Sequence, residues 1–210
     1  MSGAWVDPAP HKSRSASVNG TRLNYLDWGG RRPALILIHG ATGNPHSFDD
    51  LAPALTDRFR VIAYARRGHG RSEAKGPFDA PTITEDLRGL MDVLGVARAH
   101  LAGHSYGGCE ITGMAGSYPD RVDRIVYLDA GYDWSDPIWN AAMAAWPFEL
   151  ASPPSALRSI ETFLEFAKTE EDPELVQAAW FEPFVRDQVV VQPVCRSVGC
   201  QPAGRQPGSC

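Results

Sequence analysis

Gly103-His104-Ser105-Tyr106-Gly107 is the stretch that most constrains what this chain can fold into. It follows a short apolar run, His100–Ala102, and precedes an apolar stripe at helical spacing, Ile111, Met114, Ala115 and Tyr118, that Pro119 ends. A Gly-x-Ser-x-Gly sequence in that position predicts a strained strand-to-helix turn, tight enough to leave no room for side chains on either side of the serine. Such a turn presents Ser105 at the carboxyl end of a sheet, where open α/β sheets bind ligands.

The rest of the first 130 residues fits that placement. Short apolar runs alternate with helical patterns, the signature of a parallel α/β sheet. Ser13–Val18 and Thr21–Asp27 flank Asn19-Gly20, a strong hairpin signal. Ala34-Leu35-Ile36-Leu37-Ile38 is apolar throughout, as a strand buried on both faces should be. Val61–Ala65 and Arg124–Leu128 read as further strands. Phe48, Leu51, Ala52 and Leu55 share one face at helical spacing. Thr82 and Glu85 form a capping-box pattern ahead of Ile83, Leu87, Leu90, Met91 and Leu94, with Gly95 at the C-terminal cap.

From Trp134 to about Gln188 strand signals vanish. Ile138–Trp146, then Leu157, Ile160, Leu164 and Ala167, then a segment opened by Asp172-Pro173, read as successive helices rich in Trp and Phe. Residues 192–210 hold three Cys, several Pro and Gly, and no Leu, Ile or Phe, and are expected to be irregular or disordered. The expected organisation is a core over residues 1–133, a helical cap over 134–188 and a tail over 189–210. The run of changed composition motivates the expectation that the chain is truncated or frame-shifted near residue 192.

Charge narrows the partners. A formal net charge of −5 and no basic run argue against nucleic acid. No apolar segment approaches the ~20 residues of a membrane helix. The N-terminus lacks a basic start and apolar run, so the expected location is cytoplasmic. Cys195, Cys200 and Cys210, with Cys109 far upstream, match no common zinc spacing, and no disulfide framework is expected.

Three motifs carry a resemblance. His39-Gly40 follows the Ala34–Ile38 strand, Arg67-Gly68-His69-Gly70-Arg71-Ser72 follows the next strand, and Gly103–Gly107 follows the one after. In this order the chain resembles the α/β-hydrolase fold superfamily over roughly residues 14–190. The resemblance implies a mostly parallel sheet flanked by helices, with a helical cap. It implies Ser105 as nucleophile, and the backbone N–H groups of Tyr106 and Ala41 as oxyanion donors, the former favoured by the helix start. A serine at the turn disfavours epoxide hydrolase and dehalogenase chemistry, whose family members carry Asp there. The expected substrate is a small, apolar ester, thioester, lactone or amide, and no metal or organic cofactor is implied.

The resemblance also predicts an acid and then a histidine beyond Ser105. All six histidines lie at or before His104. His39 is expected to brace the oxyanion loop, His69 to lie in the neighbouring loop, and His104 to point away from Ser105. His11, His46 and His100 are assigned structural or surface roles. Asp129 and Asp133 follow the sixth strand, where some members place the acid. The alternative reading is therefore a catalytically dead fragment, or a binding module that kept the pocket and lost the base.

Overall fold

The computed structural model describes residues 10–130 together with 161, 162, 164, 165 and 168. Six strands, β1 (Lys12–Val18), β2 (Thr21–Gly30), β3 (Ala34–Ile38), β4 (Arg60–Tyr64), β5 (Ala99–His104) and β6 (Val122–Leu128), form one sheet in the order β1-β2-β4-β3-β5-β6. The β1–β2 hairpin turns on Asn19 (φ 45°) and Gly20 (φ 74°), the left-handed pair that a two-residue turn needs. β2 runs antiparallel to β4, whereas β4, β3, β5 and β6 are mutually parallel. The fold class expected from the sequence is the one observed.

The apolar run of β3 acquires a physical reason. Ala34, Ile36 and Ile38 enter one core with Leu87, Leu90, Met91, Ile111 and Met114. Leu35 and Leu37 enter a second core on the other face, with Phe48, Ala52, Val61, Ala63 and Ala102. Each fully buried aliphatic side chain of this size contributes about 1.5–3 kcal/mol relative to exposure, so a polar residue anywhere in β3 would cost one face or the other.

Two helices cover the first face, α1 (Ala80–Val93) and α2 (Gly107–Ser117). The cap of α1 lies three residues earlier than the sequence pattern suggests. Asp79, not Thr82, is the N-cap, and its side chain accepts the Thr82 N–H at 2.8 Å. Pro81, which has no N–H to donate, fits the first turn. The face predicted over Phe48–Leu55 does not form one helix. It is split into 3₁₀ turns at Pro45–Phe48 and Pro53–Leu55, with Phe48 and Ala52 buried but Leu51 exposed. Pro53 cannot donate to a carbonyl four residues back, so a continuous helix is broken there.

The expected cap over 134–188 and tail over 189–210, with Asp133 and the cysteines Cys195, Cys200 and Cys210, lie outside the described residues, apart from five. Those five, Glu161, Thr162, Leu164, Glu165 and Lys168, are α-helical and fall on the second predicted helix. Among the described residues no helix is long and apolar enough to cross a membrane.

Candidate active site

β3 leads to a strand on one side of it, β4, and is flanked on the other by β5. The winding direction thus reverses at β3, and the carboxyl ends of β3 and β5 flank the switch point at which sheets of this kind take ligands. Ile38 and Gly103 are register partners. Their parallel exits bring His39-Gly40 and His104-Ser105 side by side.

Ser105 has φ 50°, in the left-handed region that a non-glycine residue enters at a cost. Its surroundings impose this. The Ser105 N–H donates to Leu128 O at 3.2 Å, and Ser105 O accepts the Gly108 N–H at 2.8 Å as α2 begins. The flanking glycines are required by contact. A Cβ at Gly103 would lie 2.4 Å from Gly107 O, and one at Gly107 would lie 2.5 Å from Ile38 O, both backbone atoms that cannot move aside. A Cβ at Gly40 would lie 3.0 Å from His104 Nδ1 and 3.2 Å from Ser105 Cβ, so the β3 loop rests directly on the turn. The structure therefore brings together the segments that carry Ser105, Tyr106 and Ala41.

The loop after β3 is held from beneath. His39 is fully buried; its Nδ1 lies 2.8 Å from Gly40 O, and its Nε2 accepts the Arg66 N–H at 3.2 Å. An Nε2 that accepts leaves the proton on Nδ1, so Nδ1 donates to Gly40 O. Burial, then the Arg66 charge, holds His39 well below the usual histidine range, and it is neutral. Arg66 also donates to His39 O, donates to Gly40 O at 3.0 Å, and stacks over the Tyr106 ring at 5.2 Å. Gly40 O also accepts the Gly43 N–H at 3.1 Å. Burial lowers the Arg66 guanidinium to about 10 and pushes the Glu110 carboxyl, 3.4 Å from it, well above the usual carboxylate range. His39 braces the loop as expected. Arg66 is the residue that sequence reasoning passed over; a second arginine beside the Arg67-Gly68 motif is its only signal.

The Arg67–Ser72 loop is a structural clamp. Arg67 forks onto buried Asp86 at 2.6 and 2.7 Å, and reaches Lys75 O and Pro77 O. Ser72 Oγ donates to Ala65 O and accepts the Asn24 N–H. His69 Nε2 lies 2.8 Å from Ala41 O, so it holds the loop from above; burial, then Arg66, lowers its pKa.

The remaining histidines separate. His104 is exposed, and His100 lies edge-on to Phe59 at 5.4 Å. His11 and His46, given structural or surface roles from the sequence, have nearly buried side chains and pack against each other. Asp129 stands just past β6 with φ 48°. Among the described residues no histidine hydrogen-bonds to Ser105 Oγ.

Comparison with known proteins agrees with this architecture. The family described as alpha/beta hydrolase fold matches residues 33–189. A 2-(acetamidomethylene)succinate hydrolase of Mesorhizobium japonicum is 35% identical over 118 residues, covering 56% of this chain and 42% of that protein. The solved structure of E-2-(acetamidomethylene)succinate hydrolase superposes with a TM-score of 0.65 at 26% identity, covering 86% of this chain and 64% of that one. A mutant epoxide hydrolase of Vigna radiata superposes with a TM-score of 0.59 at 28% identity, covering 65% of this chain and 45% of that one. The chain spans only 31% and 42% of the length of the first two curated relatives it matches.

Proposed function

The chain belongs to the α/β hydrolase fold family, and from that premise we propose that it carries the nucleophile half of a serine hydrolase site for small carboxylic esters, thioesters, lactones or amides. The observation that carries this reading is Ser105 at φ 50° on the β5–α2 turn, with the Gly40 loop packed against it. In this reading Ser105 Oγ attacks the substrate carbonyl carbon, its proton passes to a base that is not among the described neighbours of Ser105, the carbonyl π pair moves onto oxygen, and the Tyr106 and Ala41 N–H groups receive that oxyanion. Each such donor is worth about 2.7–4 kcal/mol in the transition state. The bracing of the Gly40 loop by His39 and Arg66 supports a preorganised hole, since a loop held at several points need not reorganise as charge develops. The relatives that act on an acetamidomethylene succinate favour the amide end of this range.

A second reading rests on one specific fact. Every histidine of the sequence lies at or before His104, and those described are engaged elsewhere or exposed. A serine without a base is nearly unreactive, because the members of such a triad act as a unit. On this reading these 210 residues by themselves bind a carbonyl compound beside the Ser105 turn without turning it over.

A fluorophosphonate probe separates the two. Labelling of Ser105 in the wild-type chain, lost in Ser105→Ala, supports the hydrolase. A folded wild-type chain that takes no label overturns it and leaves the binding reading.

A further inference from the structure

His11, His46 and Asp49 come together although 35 residues separate the first from the second. The Pro45–Phe48 turn is 3₁₀, so residues three apart eclipse one another on one face. His46 and Asp49 are such a pair. Asn44 fixes the turn, its Oδ1 accepting the His46 N–H at 2.9 Å. His46 Nδ1 then lies 2.9 Å from Asp49 Oδ2, and with an ionised carboxylate as acceptor the ring nitrogen is the donor.

His11, the residue before β1, is laid on this pair by the hairpin. Its ring meets Trp28 edge-on at 5.2 Å, and its Nε2 stands 3.7 Å from Asp49 Oδ1. The three side chains are 2%, 3% and 5% exposed. Asp49 Oδ1, which is buried, accepts no hydrogen bond among the described residues. One ligating atom from each residue lies within 4.8 Å of the others.

We propose that His11, His46 and Asp49 form a binding site for a divalent cation of the Zn²⁺ class. Two imidazoles and one carboxylate are the donor set that zinc takes, and its bond lengths set an edge of about 3.3 Å between ligating atoms. The His11–Asp49 separation of 3.7 Å is already close to that edge. Entry of the cation opens the His46–Asp49 hydrogen bond. His46 takes its Nε2–H tautomer and turns the Nδ1 lone pair inward, so no net proton leaves the imidazole. The fourth tetrahedral position is left to water.

The cation would bind the segment preceding β1 to the loop that follows β3. That loop also carries Ala41, so the metal would fasten the far end of the segment whose near end His39 and Arg66 hold. The inference does not depend on Ser105 being reactive.

The test uses the full chain with Cys195, Cys200 and Cys210 replaced by serine, which removes the thiols most able to compete for zinc. Metal-free protein is titrated with Zn²⁺ by calorimetry and with Co²⁺ by visible absorption. The expected result is one Zn²⁺ per chain and a Co²⁺ d–d spectrum without thiolate charge transfer. His11→Gln and Asp49→Asn should each weaken binding at least about tenfold. Zn²⁺ should raise the Tm of the parent but not of His11→Gln. Absence of stoichiometric binding overturns the proposal, as does binding unchanged in His11→Gln. That variant lies ahead of β1, outside every strand and helix, so it keeps the test decisive even if Asp49→Asn loosens the turn. Ser105 labelling has a separate readout, so the two readings fail separately.

Discussion

His39 and Arg66 hold each other reciprocally. The Arg66 N–H donates to His39 Nε2, and the Arg66 guanidinium returns to His39 O and Gly40 O. Each thereby fixes the backbone that carries the other, and the loop above Ser105 has little freedom left.

That lock has a pH signature with two opposing parts. Burial lowers His39 and His69 below the usual histidine range, so both are neutral in the fold. Their contribution is fully present above about pH 6.5, the unfolded value, and is lost as pH falls toward the depressed folded values. In a Glu110→Gln background, which removes the opposing carboxyl, urea unfolding should therefore show stability declining from pH 7 to pH 5. Glu110 acts in the opposite sense. Burial raises its pKa, so its contribution is full below about pH 4.3 and is lost as pH rises. The stability of Glu110→Gln relative to wild type should increase from pH 4 to pH 8. A decrease instead would show that Arg66 and Glu110 stand as a charged pair.

The glycines of the turn should differ sharply from a glycine nearby. Gly103→Ala and Gly107→Ala each force a Cβ onto backbone and should cost several kcal/mol, at the upper end of overpacking changes. Gly116→Ala, also in α2, meets nothing within 4 Å and should stabilise by up to about 1 kcal/mol. Thermal unfolding of the three variants checks the contrast.

Ser105 should trade stability for chemistry. Ser105→Ala and Ser105→Gly both remove the hydroxyl and should both lose fluorophosphonate labelling. Only glycine relieves the backbone at φ 50°. Ser105→Gly should therefore be more stable than Ser105→Ala by about 1 kcal/mol, and equal midpoints in denaturant would count against strain at this turn.

Arg67→Met should be among the most destabilising single changes in the described residues. It removes a fork of two short bonds and leaves buried Asp86, 1% exposed, with the neutral Asn19 Nδ2 donor at 3.0 Å and no counter-charge in contact among the described residues. Breaking one partner of such a buried pair costs about 3–5 kcal/mol. Arg67→Lys should recover little of this, since an ammonium cannot fork onto two oxygens. Chemical denaturation at neutral pH measures both.

The sequence disclosed most clearly what short-range rules govern. Asn19-Gly20 located the hairpin because a two-residue turn demands left-handed backbone, and the apolar β3 run announced burial on both faces. The errors also had local causes. Asp79 caps α1 because Pro81 allows the helix to start earlier than the Thr82–Glu85 pattern, and Pro53 interrupts a face that periodicity alone read as one helix. At the site, Gly103–Gly107 and His39-Gly40 were visible as motifs. Arg66 was not, because its role comes from folding back onto a loop 26 residues earlier. His11 with His46 and Asp49 was hidden for the same reason, since only the sheet brings the two segments together.

The bond from the Ser105 N–H to Leu128 O continues the β5–β6 ladder one rung past His104↔Leu128. That amide is therefore already spent on the sheet. The rung also makes β6 mechanically continuous with Ser105. Among the described residues β6 is the outermost strand of its side of the sheet. A pull or a one-residue slip at Leu128 would reach the Ser105 backbone through this hydrogen bond, so the rim of the sheet acts as a tensioner on the strained turn.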